Sequence, residues 1–163
     1  MNILLFPNPG LREKAKNVDV FDGRLKAFAR QLQEFMYVNK GCVGIAAPQV
    51  GKLARVIVVD SSGNRKTVKS SGPLALINPV ITYAAGACMN REGCLSVPDF
   101  TGNVERPDKI RVEYQDADGK KQSLETYGFE AVILQHEIDH LDGVLFIDKI
   151  RNSKRDLFKR KSF

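Results

Sequence analysis

The chain contains two histidines, His136 and His140, which stand four residues apart. In an α-helix this spacing brings both imidazoles to one face, where they can bind one metal ion, so the pattern predicts a helix. Glu137 follows the first histidine and can act as a general base toward a water on that metal. Apolar residues flank the histidines and predict a half-buried helix whose polar groups need partners. The same pattern also arises by chance on a polar helix face, so metal binding needs support from the rest of the chain.

A third protein ligand has to be Cys, Asp or Glu, because no further histidine exists. In many metallopeptidases with this helix, the third ligand lies downstream of the second His. It is either a His six residues later or a Glu. The chain has Phe146 at that position and no Glu in residues 141–163. Unless a downstream Asp serves, the ligand lies upstream, and Cys94 is the best candidate. One thiolate and two imidazoles leave a position open for water, as a catalytic site needs, although a lone cysteine is more often a small buried residue.

Hydrophobic periodicity and turn residues predict a mixed fold. An apolar stripe predicts a helix over 25–38, and the helix with the histidines is expected over 128–141. A last short helix is expected over 153–160. Strands are expected at 55–60, 74–77, 80–83, 110–114 and 122–126, with a hairpin turn between the last two. Strands joined by hairpins, without regular β-α-β alternation, predict an α+β fold.

Length and charge predict one domain with a basic end. A chain of 163 residues is long enough for one sizeable core. We expect residues 1–148 to form a single catalytic metallohydrolase domain, and residues 149–163 a basic C-terminal helix or tail of that domain. The first part balances acidic and basic side chains, whereas the second holds seven Lys/Arg against Asp156 and so accounts for the formal net charge of +6. A neutral body argues against a DNA partner.

The cytoplasm is the expected location. No apolar run reaches membrane-spanning length, so no membrane partner is expected. The N-terminal residues lack the pattern of a secretory signal. The three cysteines include no Cys-x-x-Cys pair, which favours a reducing compartment over a disulfide framework.

Three segments resemble, in the same order, the three motifs of the peptide deformylases. These bacterial and organellar enzymes remove formate from nascent N-formylmethionyl peptides. Residues 42–49 (CVGIAAPQ) resemble the first motif, residues 92–96 (EGCLS) match the second and residues 135–140 (QHEIDH) match the third. The resemblance extends over residues 7–148. It implies antiparallel sheets packed around a central metal-binding helix, of the bacterial cytoplasmic type, with the basic helix at the C-terminus.

The resemblance also implies one divalent metal per chain, physiologically Fe²⁺, although Zn²⁺, Ni²⁺ and Co²⁺ fit the same donor types. Its protein ligands are expected to be Cys94, His136 and His140. Glu137 is expected to be the general base. Glu92 and Arg106 are expected to form a supporting ion pair beside the metal. Asp139 pairs with a basic group, assists a ligand histidine or is an exposed helix charge.

Catalysis and substrate binding are likewise expected from the resemblance. The Gln49 side chain and the backbone N–H of Leu95 are expected to stabilise the oxyanion, although Gln49 considered alone reads as a surface residue. The residues expected to bind the substrate, an N-formylmethionyl peptide, are Val43, Gly44, Gly93, Phe129, Val132 and Ile133. The last three lie on a helical stripe that is more often plain core.

One position departs from the family motif. Cys42 stands where the first motif normally begins with Gly. Its side chain is expected to narrow the pocket or add a thiol near the metal, unless Gly41 takes over the backbone requirement. The departure concerns substrate preference and leaves the reaction type unchanged.

Three functions are compatible with these observations. A peptide deformylase is preferred, and its basic residues 149–163 are expected to contact the ribosome transiently. In the alternative, these residues form a solvated terminal helix. The second function is a metallohydrolase acting on other N-acyl groups, and the third is a non-catalytic ribosome- or RNA-binding module.

Overall fold

The computed structural model describes residues 1–161, which form helices and two antiparallel sheets. The helices are α1 (Gly23–Val38), α2 (Phe129–Leu141) and the single-turn α3 (Ser153–Asp156). The strands are β1 (Gly44–Ala46), β2 (Val56–Val59), β3 (Leu74–Ala85), β4 (Cys88–Cys94), β5 (Val97–Arg106), β6 (Lys109–Gln115), β7 (Lys121–Tyr127) and β8 (Leu157–Lys159). Short 3-10 turns cover Pro9–Arg12, Ala47–Val50 and Phe146–Lys149. Over residues 1–161, no helix has the length and apolar character needed to span a lipid bilayer.

The strands form two sheets. The larger has the order β1-β2-β3-β6-β7 and the smaller the order β4-β5-β8, and neighbouring strands are antiparallel in both. The expected α+β class with antiparallel sheets is therefore confirmed. β1 lies at the edge of the larger sheet, so one side of it is not paired with another strand of residues 1–161.

The larger sheet is covered on both faces, as β2 illustrates. All four residues of β2 are buried. Ile57 and Val59 pack in the cluster that includes α2, whereas Val56 and Val58 pack in the cluster that includes α1. Side chains alternate along a strand, so an unbroken apolar run fits a sheet with a helix on each face.

Helix α2 lies between the two sheets. Contacts with the smaller sheet come from Cys94 to His140 and from Arg106 to Asp139. Every residue of α2 except Phe129 and Asp139 is buried. The expectation of a half-buried helix is wrong because the smaller sheet covers the side that was expected to face solvent. The polar groups of α2 therefore need partners inside the protein.

The C-terminal segment differs from the expected helix over 153–160. Asn152 caps the single turn α3, and the chain then becomes extended in β8, which pairs with β5. Apolar, strand-favouring side chains at Leu157 and Phe158 fit this edge position better than a longer helix. Of the basic segment expected over 149–163, residues 162 and 163 lie outside the described residues. The division of the chain at residue 148 stays a prediction.

The remaining expected elements are present. The helix expected over 25–38 begins slightly earlier, where the Asp22 side chain accepts hydrogen bonds from the first helical N–H groups. The hairpin expected near residues 118–119 joins β6 to β7. The strands expected at 74–77 and 80–83 are one strand, β3, with an irregularity where Asn78 adopts a φ of 52°.

Candidate metal centre

Cys94, His136 and His140 come together in a buried cluster. Cys94 ends β4, and the two histidines lie on one face of α2. Their possible ligand atoms all lie within 4.8 Å of one another. The Cys94 Sγ and His140 Nε2 atoms are 3.3 Å apart. One thiolate and two imidazoles at this spacing fit a transition-metal ion with a coordination position left for water.

Carboxylate and guanidinium groups orient the first histidine. His136 Nδ1 donates to Glu92 Oε1 at 2.8 Å, which leaves Nε2 for the metal. Arg106 donates to Glu92 through Nε at 2.6 Å and Nη2 at 2.9 Å, and to Asp139 through Nη1 at 2.8 Å. The structure thus places the expected ion pair beside the cluster, and Asp139 supports it from α2.

The environment sets the charges of these groups. Burial alone raises the pKa of Glu92, but hydrogen bonds from His136 and Arg106 lower that pKa to about 2. Burial also lowers the pKa of His140 well below its ordinary value, which favours the neutral imidazole that binds metals. For His136, burial opposes the charged form, but contacts with Cys94 and Glu92 raise its pKa well above the ordinary value.

Glu137 is buried beside the candidate ligands. Burial is the main reason that its pKa rises to about 7. Its Oε2 atom is buried without a hydrogen-bond partner within residues 1–161. Buried oxygen atoms normally accept a hydrogen bond, so this atom is free to bind a water molecule or a substrate. A carboxylate with a pKa near neutrality can both take up and return a proton.

Gln49 is buried, so its interpretation as a surface residue is wrong. The 3-10 turn at Ala47–Val50 aims its side chain inward. The backbone N–H of Ala46 donates to Gln49 Oε1 at 2.9 Å, which fixes the orientation of the amide. Gln49 Nε2 then donates to Cys94 Sγ at 3.4 Å and to Ser96 Oγ at 3.1 Å. A hydrogen-bond donor therefore lies directly beside the candidate metal ligand.

A cavity of about 410 Å³ opens onto this cluster. Leu95, which follows Cys94 in the turn between β4 and β5, lines it. All the residues expected to bind a substrate also line it, namely Val43, Gly44, Gly93, Phe129, Val132 and Ile133. Ile133 of α2 both lines the cavity and belongs to the hydrophobic core.

Cys42 also lines the cavity. Its Sγ atom donates to the carbonyl oxygen of Gly44 at 3.1 Å. Burial raises the pKa of Cys42 to about 12, so the group is a thiol at neutral pH. Gly41 has a φ of 83°, so it is Gly41 that adopts the left-handed conformation before β1.

Sequence reasoning missed a set of cations around the cavity. The lining includes Lys40, Lys66, Arg91 and Arg160. Arg160 reaches the cavity because β8 pairs with β5, and no local pattern in the sequence indicates that pairing.

Comparison with known proteins gives a consistent result. The family model described as polypeptide deformylase matches residues 1–156. The peptide deformylase from Brucella suis is 44% identical to this chain, over 98% of this chain and 89% of its own length. The peptide deformylase from Thermodesulfovibrio yellowstonii is 42% identical, over 99% of this chain and 95% of its own length. The crystal structure of peptide deformylase from Thermotoga maritima matches with a TM-score of 0.85 and 41% identity, over 93% of this chain and 97% of that one.

Proposed function

The chain belongs to the polypeptide deformylase family, and we propose that it acts as its relatives do, removing the formyl group from the N-terminal formylmethionine of nascent polypeptides and releasing formate. The observation that carries the proposal is the buried cluster of Cys94, His136 and His140 with Glu137 at the end of a peptide-sized cavity. The proposed place of action is the bacterial-type cytoplasm, where nascent chains are made.

The proposed cofactor is one divalent metal held by Cys94, His136 and His140. The donor set and the unpartnered Glu137 oxygen fit such an ion. A metal held there would supply Lewis-acid chemistry, which would polarise the formyl carbonyl and bring the pKa of a water toward neutrality. A thiolate with two imidazoles is compatible with Fe²⁺, Zn²⁺, Ni²⁺ and Co²⁺. We take Fe²⁺ as the physiological ion on the basis of the family resemblance.

Glu137 is the proposed proton carrier. It takes a proton from the attacking water as the C–O bond forms at the formyl carbon, and it returns that proton to the leaving amine as the C–N bond breaks. Its raised pKa suits both steps. Gln49 Nε2 and the backbone N–H of Leu95 are the proposed donors to the oxyanion. The fixed Gln49 amide supports this role because its orientation is set before substrate binds.

The substrate is proposed to bind along the free edge of β1. An extended peptide can add a strand to an exposed sheet edge through backbone hydrogen bonds. Val43 and Gly44 supply that edge, and Gly93 also lines the cavity. The methionine side chain then fits the apolar wall formed by Phe129, Val132 and Ile133.

Transient contact of the basic tail with the ribosome is also proposed. The exposed Arg151 and Lys154 lie outside the cavity lining and can reach RNA phosphates. Sedimentation with ribosomes at several salt concentrations tests this contact. Equal binding by the wild type and an Arg151→Gln/Lys154→Gln variant argues against it.

The reaction is tested by formate release from formyl-Met-Ala-Ser. The protein is reloaded anaerobically with Fe²⁺ or Ni²⁺ and compared with Glu137→Ala. We expect rapid release by the wild type and almost none by the variant. A folded, metal-loaded wild type that releases no formate contradicts the proposal.

A second candidate is hydrolysis of other N-acyl groups, which the presence of Cys42 in the cavity favours. Comparison of formyl-Met, acetyl-Met and unblocked Met peptides separates the two reactions. Preference for the acetyl peptide supports the second candidate.

A further inference from the structure

The mouth of the cavity is strongly basic. Four cationic side chains line it, and the only carboxylates in the lining among residues 1–161 are Glu92 and Glu137. Glu92 is already occupied by Arg106 and His136. Glu137 lies beside the metal ligands. Neither carboxylate therefore neutralises the mouth.

Arg160 is the cation whose position the fold determines most directly. β8 pairs with β5 through Lys159 and Phe100, and the Arg160 N–H donates to the carbonyl oxygen of Asp99 at 2.8 Å. The guanidinium lies against Gly93, so closely that a Cβ atom on that residue would collide with it. It forms no ion pair with any carboxylate of residues 1–161.

The position of Gly93 relates this guanidinium to the substrate path. Gly93 directly precedes the proposed metal ligand Cys94, and both Gly93 and Gly44 of β1 line the cavity. A peptide whose formyl group is at the metal and whose backbone pairs with β1 would therefore extend past Gly93. Each extended residue advances about 3.3 Å. The second and third residues of the peptide are therefore the ones that come within reach of Arg160.

We propose that Arg160 determines substrate specificity by binding a carboxylate side chain at the second or third residue of the formylated peptide. This inference rests on the proposed function and names the substrate class that the site prefers. A peptide is favoured over RNA as the partner, because the exposed Arg160 lines the cavity and its guanidinium lies against Gly93, next to the proposed metal ligand Cys94. The exposed cations Arg151 and Lys154 lie outside the lining of that cavity.

The test compares amidated tripeptides that differ only in one charge. Formyl-Met-Asp-Ala-amide is paired with formyl-Met-Asn-Ala-amide, and formyl-Met-Ala-Asp-amide with formyl-Met-Ala-Asn-amide. We expect the wild type to prefer Asp in one pair by about three- to five-fold in kcat/KM, the size of a single exposed ion pair. The difference should lie in KM and should diminish at high salt.

Variants assign the preference to one side chain. Arg160→Gln should abolish it, Arg160→Glu should reverse it and Arg160→Lys should keep part of it. Arg30→Gln makes the same change on the exposed face of α1, outside the cavity lining, and should leave the preference intact. A preference that survives in Arg160→Gln, or no preference in the wild type, overturns the inference. So does an Arg160→Gln variant that loses ribosome binding and keeps the peptide preference.

Calorimetric binding of the same peptides separates the two proposals. A protein that releases no formate but binds the Asp peptide more tightly through Arg160 supports the inference and contradicts the proposed reaction. A protein that releases formate from the Asp and Asn peptides at equal rates supports the proposed reaction and contradicts the inference about Arg160.

Discussion

Glu92 connects the metal centre to the rest of the protein. It accepts hydrogen bonds from a proposed metal ligand on one side and from a buried guanidinium on the other. Because such supporting partners fix the tautomer and direction of a ligand ring, they influence metal affinity without touching the metal.

Replacement of Glu92 by Gln should weaken metal binding by about 10- to 100-fold, since the amide holds His136 less firmly. Competition with a chelator of known affinity measures the change. Glu105→Gln, on the more exposed part of the neighbouring strand β5, is the matched control. Equal metal affinity in the two variants would contradict the orienting role of Glu92.

Gln49→Ala tests the proposed oxyanion donor. Loss of one such donor typically costs about 10²- to 10³-fold in turnover. We therefore expect formate release to fall by that factor while the metal content stays unchanged. Gln122→Ala, at an exposed position of β7, should be fully active. Near-normal turnover of the Gln49 variant would remove the residue from the mechanism.

At the scale of elements, the close packing of β1 against α2 brings the candidate substrate edge close to Glu137, the proposed general base. A Cβ atom on Gly44 would lie 2.9 Å from Glu137 and 2.9 Å from Ile133. Gly44→Ala should therefore displace the Glu137 carboxylate, with a cost to stability of about 1–3 kcal/mol from overpacking. Urea unfolding and formate release measure the two effects.

Gly63 provides the control for this substitution. It lies in the loop after β2, and a Cβ atom there would meet nothing within 4 Å. Gly63→Ala should leave turnover unchanged and stability equal or slightly higher. If both alanine variants behave alike, close packing at Gly44 does not control the position of Glu137.

The elements differ in how far the sequence predicts them. Helix α2 and the β6–β7 hairpin follow from local periodicity and turn residues. The spacing of His136 and His140 indicates two ligand candidates, whereas Cys94 follows from the exclusion of downstream ligands and from the family resemblance. β4 and β5 were not predicted, because they carry Gly, Pro, Asp and Asn and lack a regular apolar alternation. These two segments form strands because they pair with each other. Arg160 was missed for a related reason, since only the β5–β8 register brings it to the cavity.

At the scale of the whole molecule, an ion pair joins the 3-10 turn near the N-terminus to the 3-10 turn that follows α2. Arg12 donates to Asp148 through Nη2 at 3.0 Å, and the backbone N–H of Leu145 donates to the same carboxylate. Burial raises the pKa of Asp148, but these hydrogen bonds outweigh it and hold the pKa below the ordinary value of 3.8.

This lowered pKa predicts how stability depends on pH. The folded state favours the charged carboxylate, so its contribution is complete above pH 3.8 and is lost as the pH falls through the folded-state pKa. Because the pair is partly exposed, Asp148→Asn should cost about 1 kcal/mol or less at pH 7. The difference between wild type and variant should disappear in acid. Urea unfolding at several pH values measures it, and a constant difference would argue against the pair.

Metal removal should destabilise the protein as a whole. An ion that binds only the folded state stabilises it by about 2.7 kcal/mol when its concentration is 100 times its Kd. We expect a strong chelator to lower the midpoint of thermal unfolding, and reloading to restore it. Cys94→Ser should show a much smaller response to the chelator. An unchanged midpoint in the wild type would indicate that the ion contributes nothing to folding.

The three proposed ligand residues come from a strand of one sheet and from the helix that separates it from the other, and Cys94 and His140 lie 46 residues apart in the chain. An ion bound between them would therefore be a cross-link as well as a catalyst. Oxidative loss of the ion would then loosen the contact between α2 and the smaller sheet and expose backbone to proteases. In a cell, metal supply would set the lifetime of this enzyme together with its rate.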